Sequence, residues 1–105
     1  MSAERFKVVF ACLAAEKEYL SLDGSTRAMV DKGLLRLAQR ADEIGKALSG
    51  PLAGCKELKF RADGIRVIYR IVDGRVEVVQ VLAIGSRDKG RVFDIASKRN
   101  SEIDR

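Results

Sequence analysis

Histidine and tryptophan are both missing from the 105 residues of this chain. Without histidine there is no general base of the commonest kind near neutral pH, and no imidazole ligand for a transition metal. The two cysteines, Cys12 and Cys55, lie far apart in apolar surroundings, so they read as buried free thiols in a reducing, cytoplasmic compartment. With so few donors no zinc or iron site is expected, nor any other cofactor. Long hydrophobic runs are missing too. The stretch from Val76 to Ile84 is broken by Glu77 and Gln80 and falls far short of the ~20 residues a membrane-crossing helix needs. The amino terminus has no secretory pattern, so no leader and no membrane partner are expected.

What is present describes a folded domain. Apolar residues make up 47% and charged residues 33%, and the length suits one core, so residues 1–105 are expected to form a single domain. Twenty Lys and Arg against fifteen Asp and Glu leave a net charge of +5, which favours an anionic partner such as nucleic acid, an acidic protein or a charged surface.

Phe6, Val8 and Phe10 alternate with Lys7 and Val9 as in a short strand. From Ala11 to Leu20 the pattern turns helical, with Leu13, Ala14 and Leu20 near the inward face. Asp23 or Ser25 can cap a second helix running to about Arg40, whose stripe of Val30, Gly33, Leu34, Leu37, Ala38 and Ala41 faces inward. Gly33 within that stripe suggests a close approach to a neighbour. Gly45 to Gly54, holding the only proline, reads as a connection. Lys56–Arg61, Ile65–Val72 and Arg75–Ile84 then read as strands separated by Asp63-Gly64 and Asp73-Gly74, the signal for two-residue hairpin turns. A short helix of about Val92 to Arg99 closes the chain. The fold class is therefore α+β: a helical hairpin on a small antiparallel sheet, with a short C-terminal helix.

Counting outward from a two-residue turn at Asp63-Gly64 pairs Arg61 with Arg66 and Lys59 with Ile68. Leu58, Phe60, Val67, Tyr69 and Ile71 then face the helices, and Lys59, Arg61, Arg66 and Arg70 share the opposite face. The same count at Asp73-Gly74 sets Arg70 opposite Glu77 as an ion pair and gives the basic face an apolar floor. It also turns Gln80 toward the core, which suggests a bulge in the last strand. Arg87 arrives near the end of the sheet. Like charges facing each other at Arg61 and Arg66 need something negative between them, either an acidic side chain from the final segment or a bound phosphate, and the geometry favours the phosphate.

The runs Leu58-Lys59-Phe60-Arg61, Gly64-Ile65-Arg66-Val67-Ile68-Tyr69-Arg70 and Ile84-Gly85-Ser86-Arg87-Asp88-Lys89, followed by Val92-Phe93, Ala96 and Lys98-Arg99, resemble the RelE family of bacterial toxins within the RelE/ParE superfamily. The upstream strand, helical hairpin and Leu22-Asp23 turn fit as well. This resemblance implies the toxin of a toxin–antitoxin pair, a metal-independent endoribonuclease that enters the ribosomal A site and cuts mRNA there, leaving a 2′,3′-cyclic phosphate. It implies as partners a cognate antitoxin, the ribosome with its mRNA, and operator DNA only as the toxin–antitoxin complex. Lys59, Arg66 and Arg87 match the family's catalytic basic residues. Arg61 matches a basic neighbour, and Lys89 and Phe93 join it as expected RNA contacts.

Such a reaction needs the ribose 2′-hydroxyl deprotonated, the phosphorane charge neutralised and the leaving 5′-oxygen protonated. Arg66 and Arg87 suit the phosphorane, since guanidinium forks match phosphate oxygens, and Lys59 suits the base. The chain departs from the family pattern twice. Glu57 stands where a further lysine is usual, and Phe93 stands in place of a catalytic tyrosine; Phe93 can stack on a base but transfers no proton. Two other functions fit the same resemblance: a ParE-like inhibitor of DNA gyrase, and a decayed toxin kept as an antitoxin-binding, operon-regulating module.

Overall fold

The computed structural model describes residues 5–60, 64–73 and 77–103, apart from the Lys89 side chain. Five strands and three α-helices follow one another as β1 (Phe6–Phe10), α1 (Leu13–Leu20), α2 (Gly24–Arg40), β2 (Lys46–Ala47), β3 (Cys55–Phe60), β4 (Ile65–Val72), β5 (Glu77–Ser86) and α3 (Arg91–Ile103), with short 3-10 turns at Gly50–Leu52 and Asp88–Gly90. The strands form one sheet in the order β1-β5-β4-β3-β2. From β2 to β5 every pairing is antiparallel, and β1 joins β5 in parallel, from Phe6↔Glu77 to Phe10↔Val81. No local turn ties β1 to β5, so the sequence pattern alone shows the strand and not its partner.

Helix α2 forms as expected. The Asp23 carboxylate accepts the Thr26 amide at 2.8 Å, which satisfies one of the free N–H groups of the first turn and holds the Asp23 carboxyl below its ordinary range. Val30, Gly33, Leu37, Ala38 and Ala41 are buried, with Leu34 half-buried beside them. A Cβ at Gly33 would lie 2.4 Å from Phe60 Cζ, so the missing side chain lets the helix settle onto β3. Helix α1 departs from expectation. Leu13 and Leu20 are 73% and 58% exposed, and Ala15 is the buried contact. In so short a helix the apolar positions do not define one stripe, and packing selects the small side chain.

The sheet is covered on both faces. On one, Phe6, Leu58, Phe60, Val67, Tyr69, Val79, Val81 and Ile84 meet Val30, Leu37 and Ala41 of α2 and its end. On the other, Cys55, Ile68, Leu82 and Ala83 meet Leu52 and the Val92 and Ala96 side of α3. Of the apolar floor expected beneath the basic residues, Ile68 with Val79 and Val81, only Ile68 lies on that face. Val79 and Val81 face α2 instead, and the seat of α3 is completed by Cys55, Leu82 and Ala83. The Tyr69 hydroxyl lies within 2.9 Å of the carbonyl oxygens of both Ala41 and Ile44, closing the end of α2 onto the sheet.

Both expected hairpin registers shift. Phe60 pairs with Ile65, so the β3–β4 connection takes in 61–64 and Lys59 faces Arg66 directly. Arg61, Ala62 and Asp63 lie outside the described residues, and the expected Arg61–Arg66 pair is replaced by Lys59–Arg66. Because the slip is an even number of residues, each side chain keeps its face. Between β4 and β5, Val72 pairs with Val78 and Arg70 with Gln80. The expected Arg70–Glu77 ion pair does not form. Arg70 Nε donates to Gln80 Oε1 at 2.7 Å and Nη1 to Asn100 Oδ1 at 3.1 Å, while Glu77 lies 3.7 Å from Arg5. The longer turn also puts Gln80 on the same face as Arg70. The register still breaks in β5, but at Leu82: Tyr69 faces Val81 and Ile68 faces Ala83. This bulge turns Val81 to one core and Leu82 with Ala83 to the other.

Candidate active site at the end of the sheet

Strand alternation and register bring Glu57, Lys59, Arg66 and Gly85 to one face at the end of the sheet where α3 begins. Lys59 faces Arg66 from β3, and Gly85 faces Arg66 from β5. Lys59 is exposed, whereas Arg66 is buried at 7% exposure. Glu57 is buried as well, and its Oε2 lies 3.7 Å from Arg66 Nε. Arg66 Nη1 donates to its neighbour's carbonyl, Ile65 O, at 3.3 Å.

Arg87 follows directly on β5 and is held by its backbone. Its amide donates to Gly64 O at 2.9 Å, and its carbonyl accepts the Gly90 amide at 3.0 Å. The Asp88 amide donates to Ser86 Oγ at 3.1 Å. The exposed Arg87 is thereby fixed against the β3–β4 turn, at the same end of the sheet as Lys59 and Arg66. Lys89 sits in the same 3-10 turn. Phe93 lies in the first turn of α3, half-buried against the Leu52, Cys55 and Val92 cluster. It lines a shallow hollow of about 280 Å³ with Leu48, Pro51, Asp94 and Ser97.

The structure therefore brings Lys59 and Arg66 together, fastens Arg87 to the turn that joins their strands, and gives Phe93 a partly structural setting. Two features escaped the sequence reading. The negative group beside Arg66 is Glu57, from the neighbouring strand; alternation already placed it on that face, but only the register made it Arg66's diagonal neighbour. The second is a brace between Glu18 and Arg99. The Arg99 guanidinium grips both Glu18 oxygens at 2.8 and 3.0 Å and also donates to Leu82 O, while Glu18 Oε1 accepts the Ile84 amide at 3.1 Å. The β1 ladder ends at the Phe10↔Val81 pair, so this side-chain pair takes the place of a ladder along the remaining edge of β5. Nothing local in the sequence links residues so far apart.

A cluster of Lys and Arg at the end of a helix-covered sheet makes this a small basic α+β domain with a face suited to an anionic group. Comparison with known proteins gives that class its family. The chain is 31% identical over 85 residues to the mRNA interferase toxin RelE of Escherichia coli K12, covering 81% of this chain and 87% of the relative, and equally similar to the mRNA interferase RelE of Shigella flexneri. Among solved structures, a free E. coli toxin RelE carrying two arginine-to-alanine changes superposes with a TM-score of 0.77 at 27% identity, covering 90% of this chain and 97% of that one. The toxin–antitoxin complex RelBE from Mycobacterium tuberculosis gives 0.67 at 25% identity, with 79% and 92% covered. No family model matches the chain. The chain belongs to the RelE toxin family.

Among the described residues no helix is long and apolar enough to cross a membrane. No group of three or more His, Cys, Asp or Glu side chains among them is placed to hold a metal ion.

Proposed function

We propose that this chain is the toxin of a type II toxin–antitoxin pair, an mRNA-cleaving endoribonuclease that acts on the ribosome, with residues 1–105 as one RelE-like domain. The observation that carries this reading is the direct pairing of Lys59 with Arg66 beside the backbone-anchored Arg87. In this reading Lys59, Arg66 and Arg87 surround the scissile phosphate. The exposed Lys59 acts through its uncharged amine form, which takes the proton from the 2′-hydroxyl and becomes an ammonium. The 2′-oxygen then bonds to phosphorus, Arg66 and Arg87 stabilise the phosphorane, and the bond to the 5′-oxygen breaks to leave a 2′,3′-cyclic end. Phe93 supplies no proton, so solvent protonates the leaving oxygen. Arg61, Lys89 and the exposed edge of Phe93 contact flanking RNA.

The RelE relatives, and the complexes of RelE with RelB among the structural neighbours, support an antitoxin as the cognate partner. Operator DNA would be bound only by that complex, and the ribosome with its mRNA would be met in the cytoplasm. Induced expression with mapping of cleavage sites on translated messages tests the reading. Cuts within codons of translated mRNA, lost on Arg66→Ala or Arg87→Ala, are expected. Growth arrest with every message intact would refute it, and supercoiling assays would then take up gyrase.

A further inference from the structure

We propose that Glu57 is the resident counter-ion of Arg66, an internal anion that a substrate phosphate must displace before Arg66 can grip it. The inference rests on the site described under Proposed function and assigns a role to a residue that departs from the family pattern. Glu57 faces Ile68 while Lys59 faces Arg66, so Glu57 and Arg66 are diagonal neighbours on one face of the sheet. Their side chains are 7% and 8% exposed, and Glu57 Oε2 stands 3.7 Å from Arg66 Nε. That distance gives attraction without a hydrogen bond, and Oε2 has no hydrogen-bond partner among the described residues. A buried carboxylate oxygen without a donor is costly, so the pair is poised and not locked.

A phosphate presents more acceptor oxygens than this carboxylate offers and matches the guanidinium fork. From β5 the facing position is Gly85, which sends no side chain into the contest. Without an anion, Lys59 and Arg66 would be like charges directly opposed across the sheet, which is destabilising. Glu57 relieves that opposition in the resting protein and, by the same charge, opposes an incoming phosphate.

The test uses two probes that cannot be cleaved, inorganic phosphate and a short 2′-O-methyl RNA, titrated into wild type, Glu57→Gln, Arg66→Met and the double variant, with folding checked by circular dichroism. Glu57→Gln should bind both probes roughly tenfold more tightly than wild type, a change of about 1.4 kcal/mol. The gain should vanish when Arg66→Met is the background. Unchanged or weaker binding by a folded Glu57→Gln would overturn the proposal, as would a gain that survives without Arg66. Glu57→Met, suited to a buried site, replaces Glu57→Gln if the latter does not fold. Because neither probe is a substrate, a failed cleavage assay would count against the nuclease reading alone, and cleavage without any affinity change would count against this inference alone.

Discussion

Replacing Tyr69 with phenylalanine isolates the bond that closes α2 onto the sheet. The side chain is fully buried, and its hydroxyl lies 2.9 Å from the carbonyl oxygens of Ala41 and Ile44. One O–H serves both acceptors, so its loss leaves two carbonyls at the helix end short of a donor while the ring keeps its packing. A net hydrogen bond contributes about 1 kcal/mol and a buried acceptor left unpaired costs about 1–3, so a loss of roughly 1.5–2.5 kcal/mol is expected. For a chain of this size that lowers Tm by roughly 6–20 °C. The loss has a pH signature. Burial pushes the Tyr69 phenol from its ordinary 10.0 up to about 12. The folded state holds the proton more tightly, so this contribution is complete below pH 10.0 and fades as pH rises toward about 12. The slope is about 1.4 kcal/mol per pH unit. Urea unfolding of both proteins from pH 8 to 12 should show the gap between wild type and Tyr69→Phe closing across that window, with lysine titration cancelling in the difference. A gap under about 0.3 kcal/mol at pH 8, or one that stays constant through pH 12, would refute the reasoning.

Gly33→Ala should destabilise by about 1–3 kcal/mol in denaturant melts despite the better helix propensity of alanine, because its Cβ would meet the core ring of Phe60 at 2.4 Å. Gly24→Ala, with nothing within 4 Å of the added carbon, is the neutral control. Arg87→Ala should leave stability within about 0.5 kcal/mol, because its turn is held by backbone bonds, yet cut mRNA cleavage by about a hundredfold or more. Arg70→Ala should do the reverse, loosening α3 through the lost bonds to Gln80 and Asn100 with a far smaller effect on cleavage per folded molecule. Similar cleavage losses from both variants would break the site assignment.

The features legible in the sequence are those with a local period or a local breaker. The stripe of α2, the limits of β4 and the segregation of Leu58, Phe60, Val67 and Tyr69 from Lys59 and Arg66 all follow from spacing alone, whereas the sequence narrows the cap to Asp23 or Ser25 and the structure selects Asp23. Register was less legible, because it rests on loop length, and Asp-Gly marks a turn without fixing how many residues join it. The slip at the first hairpin was even and harmless to facing. At the second it changed Arg70's partner from Glu77 to Gln80. Where contacts span most of the chain, as between Glu18 and Arg99, no periodicity carries the signal.

Those long-range contacts decide where chemistry is possible. Arg66, Ile68 and Arg70 share a face of β4 yet meet different fates. Ile68 joins the second core and Arg70 is tied to Asn100 of α3, so α3 claims the centre and far end of that face. The Glu18–Arg99 brace fixes α3 from its other side by binding backbone groups of β5 that β1 does not reach. The end that carries Lys59 and Arg66 lies where α3 begins and is closed by the Arg87 turn, with Lys59 exposed and Arg66 buried. A change that shifted α3 would therefore disturb the basic cluster without touching any of its members.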